Sequence, residues 1–358
     1  MSHDQQYADY GTRSPASEVN VDGTEESSTP APRRRRGRRI ALIVLLVVAL
    51  LAGGGMLAGG LYYRSINSSI ERVDAFDQVP EESRPQVVAK NAMNIMILGS
   101  DSRDPENSGG SRSDTIILAH LPADRSSAQL ISIPRDTWVP VPRSKDGRHG
   151  GRDAKINAAY AWGGIPLMVQ TVEKFTGVRV DHVTMVDFSG FKEIVDALGG
   201  VEVDVEKGFT TNYALSGSRT FAKGPQTMDG AAALDYARER HAFADGDFAR
   251  IRHQQQVIKA ILDKAASGGV LANPGKLNSF VKATSDAVAV DKSLSPLDLA
   301  LELRGLRSGN LTFLTCPVKG TGQVGSESVV FADTAKAKSV FDAVRRDAVK
   351  EIVGGAQG

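Results

Sequence analysis

Three short apolar runs, each meeting charged residues at its end, constrain this chain most. Met93-Asn94-Ile95-Met96-Ile97-Leu98 continues into Gly99-Ser100-Asp101-Ser102-Arg103. Arg112-Ser113-Asp114 opens the run 115–121, and the run 129–133 stops at Pro134-Arg135-Asp136. Ordinary surfaces scatter Arg and Asp along exposed faces. Here they collect where buried-looking strands begin and stop, which is where α/β folds build sites. Folded as a meander, the three strands bring Asp101, Arg103, Arg112, Asp114, Arg135 and Asp136 to one edge. The bland alternative is three polar loops that happen to be charged. Arginine forks match phosphate oxygens, and paired aspartates hold a hard cation such as magnesium. The expected ligand is a metal-bound phosphate or pyrophosphate.

The periodicities predict strands at 94–99, 115–121, 129–133, 178–187, 201–205, 310–316 and 328–331. They predict helices at 165–176, 188–198, 229–240, 247–267, 274–287, 295–306 and 333–349. Interleaved in this way, they define one α/β (α+β) domain with a mixed central sheet flanked by helices.

A second charged cluster lies on the helices. Arg238 closes one helix, followed by Glu239 and Arg240. Asp247 opens the next after Gly246, with Arg250 three positions on. Asp247 and Arg250 share a helical face, and a helix N-terminus favours anions. Plainer roles exist: an N-cap for Asp247, and a surface salt-bridge set for Arg238, Glu239 and Arg240.

The chain has 358 residues and a net charge of +1, so overall charge says nothing about partners. Its distribution says more. Residues 1–39 read as a disordered cytoplasmic tail ending in Arg33-Arg34-Arg35-Arg36-Gly37-Arg38-Arg39. Residues 40–63 are apolar and uncharged, long enough as a helix to cross a hydrocarbon core of about 30 Å. A cleaved signal peptide is the competing reading; its apolar core is shorter. The arginine block before the span places the N-terminus in the cytoplasm and the remainder outside. Residues 64–92 read as a stalk and 93–350 as the folded domain outside the membrane. A nucleic-acid role for the arginine run is disfavoured by its position against the span. Cys316 is the lone cysteine, so no internal disulfide forms, and its apolar surroundings place it in the core.

Taken together, Gly99-Ser100-Asp101-Ser102-Arg103, Arg112-Ser113-Asp114-Thr115, Ile131-Ser132-Ile133-Pro134-Arg135-Asp136, Lys155-Ile156-Asn157-Ala158-Ala159-Tyr160, Val186-Asp187-Phe188-Ser189-Gly190-Phe191, Asp196-Ala197-Leu198-Gly199-Gly200-Val201 and Asp247-Phe248-Ala249-Arg250 with Gln254-Gln255 resemble the LytR–CpsA–Psr family of cell-wall proteins. The resemblance spans roughly residues 93–262. It implies a magnesium-dependent phosphotransferase outside the membrane, moving a glycopolymer from a polyprenyl pyrophosphate carrier onto peptidoglycan. It implies Asp101 and Asp114 as magnesium ligands, and Arg103, Arg112, Arg135, Arg238 and Arg250 as pyrophosphate clamps. Asp247 resembles the residue that activates the acceptor hydroxyl; Arg240 and Gln254 are weaker matches. One departure is His253, where many members carry Arg; a phosphate contact there would weaken at neutral pH.

A polyprenyl tail needs an apolar groove. Ile165, Leu167, Val169, Val172 and Phe175 could line one, as could Phe191, Ile194, Val195 and Leu198, although core packing is the commoner role for such residues. Lys155, Asn157, Tyr160 and Trp162 are candidates for the groove mouth. A lipid pyrophosphate hydrolase would use the same residues with water as acceptor. A non-catalytic envelope anchor or regulator is disfavoured by the aspartate pair with five arginines.

Overall fold

The computed structural model describes residues 64, 67–100, 113–211, 217–295, 299, 302–303 and 306–351. The expected tail, the span 40–63, and Asp101, Arg103 and Arg112 lie outside them. Among the described residues no helix is long and apolar enough to cross a membrane.

In chain order the first strands are β1 (Glu71–Val73), β2 (Met93–Ser100), β3 (Ser113–Leu121), β4 (Ala128–Ser132), β5 (Trp138–Val141) and β6 (Arg152–Lys155). Then come β7 (His182–Asp187), β8 (Val201–Val205), β9 (Phe209–Thr210), β10 (Thr220–Phe221) and β11 (Gly224–Met228). The last are β12 (Val288–Asp291), β13 (Leu311–Thr315), β14 (Val318–Val324) and β15 (Glu327–Ala332). The helices are α1 (Ala158–Thr176), α2 (Phe188–Ala197), α3 (Gly230–Arg238), α4 (Asp247–Ala265), α5 (Gly268–Leu271), α6 (Pro274–Ala287) and α7 (Thr334–Arg345).

A seven-stranded mixed sheet runs β1-β12-β7-β2-β3-β4-β13. Its centre is the expected meander: β2 pairs antiparallel with β3, and β3 with β4. β2 also pairs parallel with β7, and β13 parallel with β4. Side chains alternate between sheet faces with period two. Ile116 and Leu118 of β3 therefore join a core with Met168, Val172 and Phe341 from α1 and α7. Ile117, Ala119 and Leu121 join another on the opposite face. Burial on both faces explains the nearly unbroken apolar run. A further core joins β8 to α2, α3 and α4 through Val203, Val195, Tyr236 and Val257.

Several expectations change. The segment read as a stalk is built into the domain: β1 pairs with β12, and Val73, Ala75 and Val79 enter the core. Too few apolar residues occur together there to signal this locally. α1 begins seven residues before the expected 165 and breaks at Gly163 and Gly164, the latter at φ 61°. Pro166 follows, lacking an N–H and unable to continue the preceding helix. β7 is shorter than 178–187. Strands β1, β5, β6, β9, β10, β11, β12 and β14 were not expected. Pro140 in β5, the charges of β6 and the glycines of β14 all argue locally against a strand. Most of the helix expected at 295–306 lies outside the described residues.

Candidate active site

The site is built where β3 begins, β4 ends, and α3 and α4 meet the sheet. The turn after β4 is held firmly. Ile133 N–H donates to Ile116 O at 2.8 Å, Thr137 N–H to Pro134 O at 3.0 Å, and Asn157 N–H to Arg135 O at 3.2 Å. Its Arg135 side chain crosses to Asp114, donating from Nη1 to Oδ1. The three meander residues that are described, Asp114, Arg135 and Asp136, thus converge as expected.

Arg250 enters the same cluster from α4. It is buried, with 4% of its surface exposed. Its Nη2 lies 2.6 Å from Asp247 Oδ1 and donates to the Asp114 carbonyl at 3.2 Å. Asp247 is also 3.8 Å from Arg135 Nε. The helix starts after Gly246, which has φ 51° and supplies no side-chain cap; Asp247 faces the arginines instead of capping. Gln255 Nε2, on the adjoining face, donates to Ser132 Oγ at 3.1 Å and Leu314 O at 3.3 Å. That pins α4 to the sheet.

Burial sets the electrostatics. It opposes the charge of Arg135, but Asp114, Asp247 and Asp136 outweigh it and the pKa is raised. Burial lowers the pKa of Arg250 against the pull of Asp247 and Asp114. Both guanidiniums stay protonated at any physiological pH. Burial raises Asp247 despite Arg250 and Arg135. Both Asp247 carboxylate oxygens are shielded from solvent, and neither makes a hydrogen bond of good geometry.

Arg238 and Arg240 arrive from the end of α3. Arg238 lies over the Phe188 ring at 4.6 Å. Glu239 is no member of a surface salt-bridge set. It is 1% exposed, and its Oε1 accepts from His241 N–H at 2.6 Å and Ala242 N–H at 3.0 Å. That fixes the turn carrying the two arginines.

Three adjoining cavities that share lining residues result. The middle one, 270 Å³, is lined by Asp114, Arg135, Arg238, Arg240, Arg250 and Gln254. Through Thr115, Phe188, Arg238 and Gln254 it meets an apolar cavity of 240 Å³ containing Ile97, Phe191, Ile194, Leu234 and Ile261. On another side Arg135 and Arg240 connect it to a polar groove of 620 Å³. Asp114, Arg135, Arg238, Arg240, Arg250 and Gln254 therefore line the middle cavity, while Asp136 lines the polar groove and Asp247 lies behind Arg135 and Arg250.

Some expectations fail here. Ile165, Leu167, Val169 and Val172 are core, as are Val195 and Leu198; only Phe191 and Ile194 line the apolar cavity. Lys155, Asn157 and Trp162 line the polar groove. Tyr160 is fully buried, its hydroxyl on Met185 Sδ at 3.4 Å. His253 makes no contact with the arginine cluster. It is fully buried and packs against Phe209, Tyr236 and Phe243. Phe188, His241 and the strand residues Trp138, Arg152 and Glu327 were given no role from sequence, yet line these cavities. Position gave no local signal for them, apart from the scarcity of tryptophan.

One carboxylate, Asp114, opens on the phosphate-sized middle cavity. Among the described residues no group of three or more His, Cys, Asp or Glu could hold a metal alone. A carboxylate facing a cavity of this size suits magnesium, which keeps waters and takes one or two protein carboxylates plus substrate phosphate oxygens.

The chain matches the LytR_cpsA_psr family over residues 61–346 and belongs to it. Among its relatives is the cell wall biosynthesis protein LcpA of Corynebacterium glutamicum, 33% identical over 301 residues, covering 71% of this chain and 55% of LcpA. The chain thus spans about half the length of that relative. The polyisoprenyl-teichoic acid–peptidoglycan teichoic acid transferase TagU of Halalkalibacterium halodurans is 32% identical over 289 residues, covering 75% of this chain and 90% of TagU. The crystal structure of B. subtilis TagV superposes with a TM-score of 0.60 at 29% identity, over 72% of this chain and 98% of TagV. TagT bound to LI-WTA gives 0.56 at 25% identity, over 72% of this chain and 91% of TagT.

Proposed function

We propose that this chain is a phosphotransferase that moves a glycopolymer from a polyprenyl pyrophosphate carrier to peptidoglycan. The carrying observation is the order of the cavities: apolar, then lined by four arginines, then polar. A lipid tail suits the first and a pyrophosphate the second. The names of relatives such as TagU support the same reading.

The acceptor hydroxyl oxygen attacks the phosphorus that carries the glycopolymer. The bond from that phosphorus to the bridging oxygen breaks, and polyprenyl phosphate leaves. Negative charge grows on the bridging oxygen, and Arg135, Arg238 and Arg250 stabilise it. The hydroxyl proton passes to Asp247, whose burial raises its affinity for protons. Since its oxygens are shielded in the free site, this role requires the donor phosphates to draw both Arg250 and Arg135 off it. Magnesium, held by Asp114 and by Asp101 as the resemblance implies, would neutralise phosphate charge. Arg103 and Arg112, also implied by the resemblance, would complete the clamp. With residues 40–63 as a single membrane span and the N-terminus inside, the domain works at the outer membrane surface, within reach of both substrates. Protease added to intact protoplasts should then digest the domain; a fully protected chain contradicts this topology.

The test is to incubate the full chain with a short-chain polyprenyl pyrophosphate oligosaccharide, magnesium and peptidoglycan. A new phosphodiester between oligosaccharide and glycan, seen by mass spectrometry, supports transfer. Free phosphorylated oligosaccharide alone supports the hydrolase reading instead. An intact donor leaves the anchor or regulator.

A further inference from the structure

The 620 Å³ polar groove has a composition unlike its two neighbours. Trp138 from β5 and Trp162 from α1 line it, together with Asp136, Arg152, Lys155 and Glu327. Its size is within the ~300–1,000 Å³ of small-ligand sites and suits two linked sugar rings. Acidic and basic groups are mixed: Lys155 Nζ lies 3.4 Å from Asp136 and 3.8 Å from Glu327. Such a lining does not select a polyanion, as the arginine cavity does, nor a lipid. Flat indoles beside carboxylates and cations suit a sugar, with apolar ring faces and hydroxyl edges. The Trp162 ring is backed by His149, stacked at 5.7 Å. The exposed Arg152 guanidinium lies over the Trp162 ring at 5.4 Å, where its N–H groups can meet sugar hydroxyls.

The groove is also rigidly framed. The β14–β15 hairpin brings Glu327 and Ser328 to its rim. It is tied down where Val330 N–H donates to the Asp136 carbonyl at 2.9 Å, next to the Thr137–Val330 bridge.

Position then decides which sugar. In phosphoryl transfer the attacking and leaving oxygens lie roughly in line across phosphorus. The leaving polyprenyl phosphate extends toward the apolar cavity. The attacking hydroxyl therefore comes from a different side of the arginine cavity, where Arg135 and Arg240 open on the groove.

We propose that the groove between Trp138, Trp162 and the β14–β15 hairpin is the acceptor-glycan subsite, binding an amino-sugar glycan strand with its attacking hydroxyl toward Arg135. This rests on the transferase reading and adds where the acceptor sits.

Both tryptophans of the chain line this groove, so a sugar seated in it should change the intrinsic emission. The purified full chain is titrated with a soluble fragment of alternating N-acetylglucosamine and N-acetylmuramic acid. Saturable change in emission is expected, and a sugar-free polyprenyl pyrophosphate should leave emission unaltered. Glu327→Ala and Arg152→Ala should each weaken fragment binding by up to about tenfold. In the transfer assay they should raise the KM for acceptor without changing the KM for donor or donor hydrolysis in water. A rise in donor KM instead assigns the groove to the donor polymer and overturns the proposal, as does an unchanged acceptor KM in an active enzyme. A wild-type chain that hydrolyses donor yet never forms a glycan-linked product removes the transferase reading, and the proposal with it.

Discussion

Asp247 Oδ1 lies 2.6 Å from Arg250 Nη2, within one turn of α4. The same guanidinium nitrogen donates to the Asp114 carbonyl on β3, so Arg250 joins helix to sheet at the base of the arginine cavity. Lysine keeps the charge but loses the planar fork. A buried charge-assisted contact is worth roughly 1.5–3 kcal/mol, so Arg250→Lys should cut turnover about tenfold to a hundredfold. Arg252, half-exposed and paired with Asp245 and Glu206, faces elsewhere. Arg252→Lys should change turnover little. Equal losses in steady-state assays of the two variants would place the chemistry on another face.

Asp136 and Asp247 both lie near Arg135, at 3.7 and 3.8 Å from Nε, and should fail differently. Asp247→Asn removes the proposed proton acceptor and should lower kcat about a hundredfold or more. Asp136 borders the polar groove, so Asp136→Asn should act mainly on acceptor KM. Comparing kcat and KM for both variants decides; a normal kcat for Asp247→Asn rules out its role as base.

Asp114 is the described carboxylate that opens on the phosphate cavity. Asp114→Asn, and Asp101→Asn as the resemblance implies, should each raise the magnesium concentration needed for half-maximal turnover. A chelator should silence the wild type. A variant with an unaltered magnesium titration is not missing a ligand.

His253 sits among Phe209, Tyr236 and Phe243, and burial lowers its pKa from 6.5 to about 4. Glu206 and Glu239 pull it up, and Arg252 pushes it down. The unfolded chain binds a proton near pH 6.5 that the folded chain refuses until about pH 4. Stability from this residue is therefore complete above pH 6.5 and declines as pH falls toward 4, by up to ~3 kcal/mol. His253→Leu should flatten the fall in Tm between pH 7 and pH 5. Parallel Tm curves for the two proteins would contradict the assignment.

Much of this was legible in the sequence because it depends on local order. Short, nearly unbroken apolar runs set β2, β3 and β4, and a meander puts the start of β3 and the end of β4 on one edge. That is enough to bring Asp114 to Arg135. Helical spacing is enough to pair Asp247 with Arg250. The motifs, in their order, were enough to name the family. Tertiary structure decided the rest. His253, one residue before Gln254, turns into an aromatic core because α4 presents that face to α3. Glu239, between two arginines in sequence, is buried to hold a turn. The polar groove takes Trp138 from β5, Trp162 from α1 and Glu327 from β15, three elements far apart in the chain. Periodicity reports which side of an element is apolar; it does not report what that side meets. Long-range packing alone decides which side chains line a cavity and which fill a core.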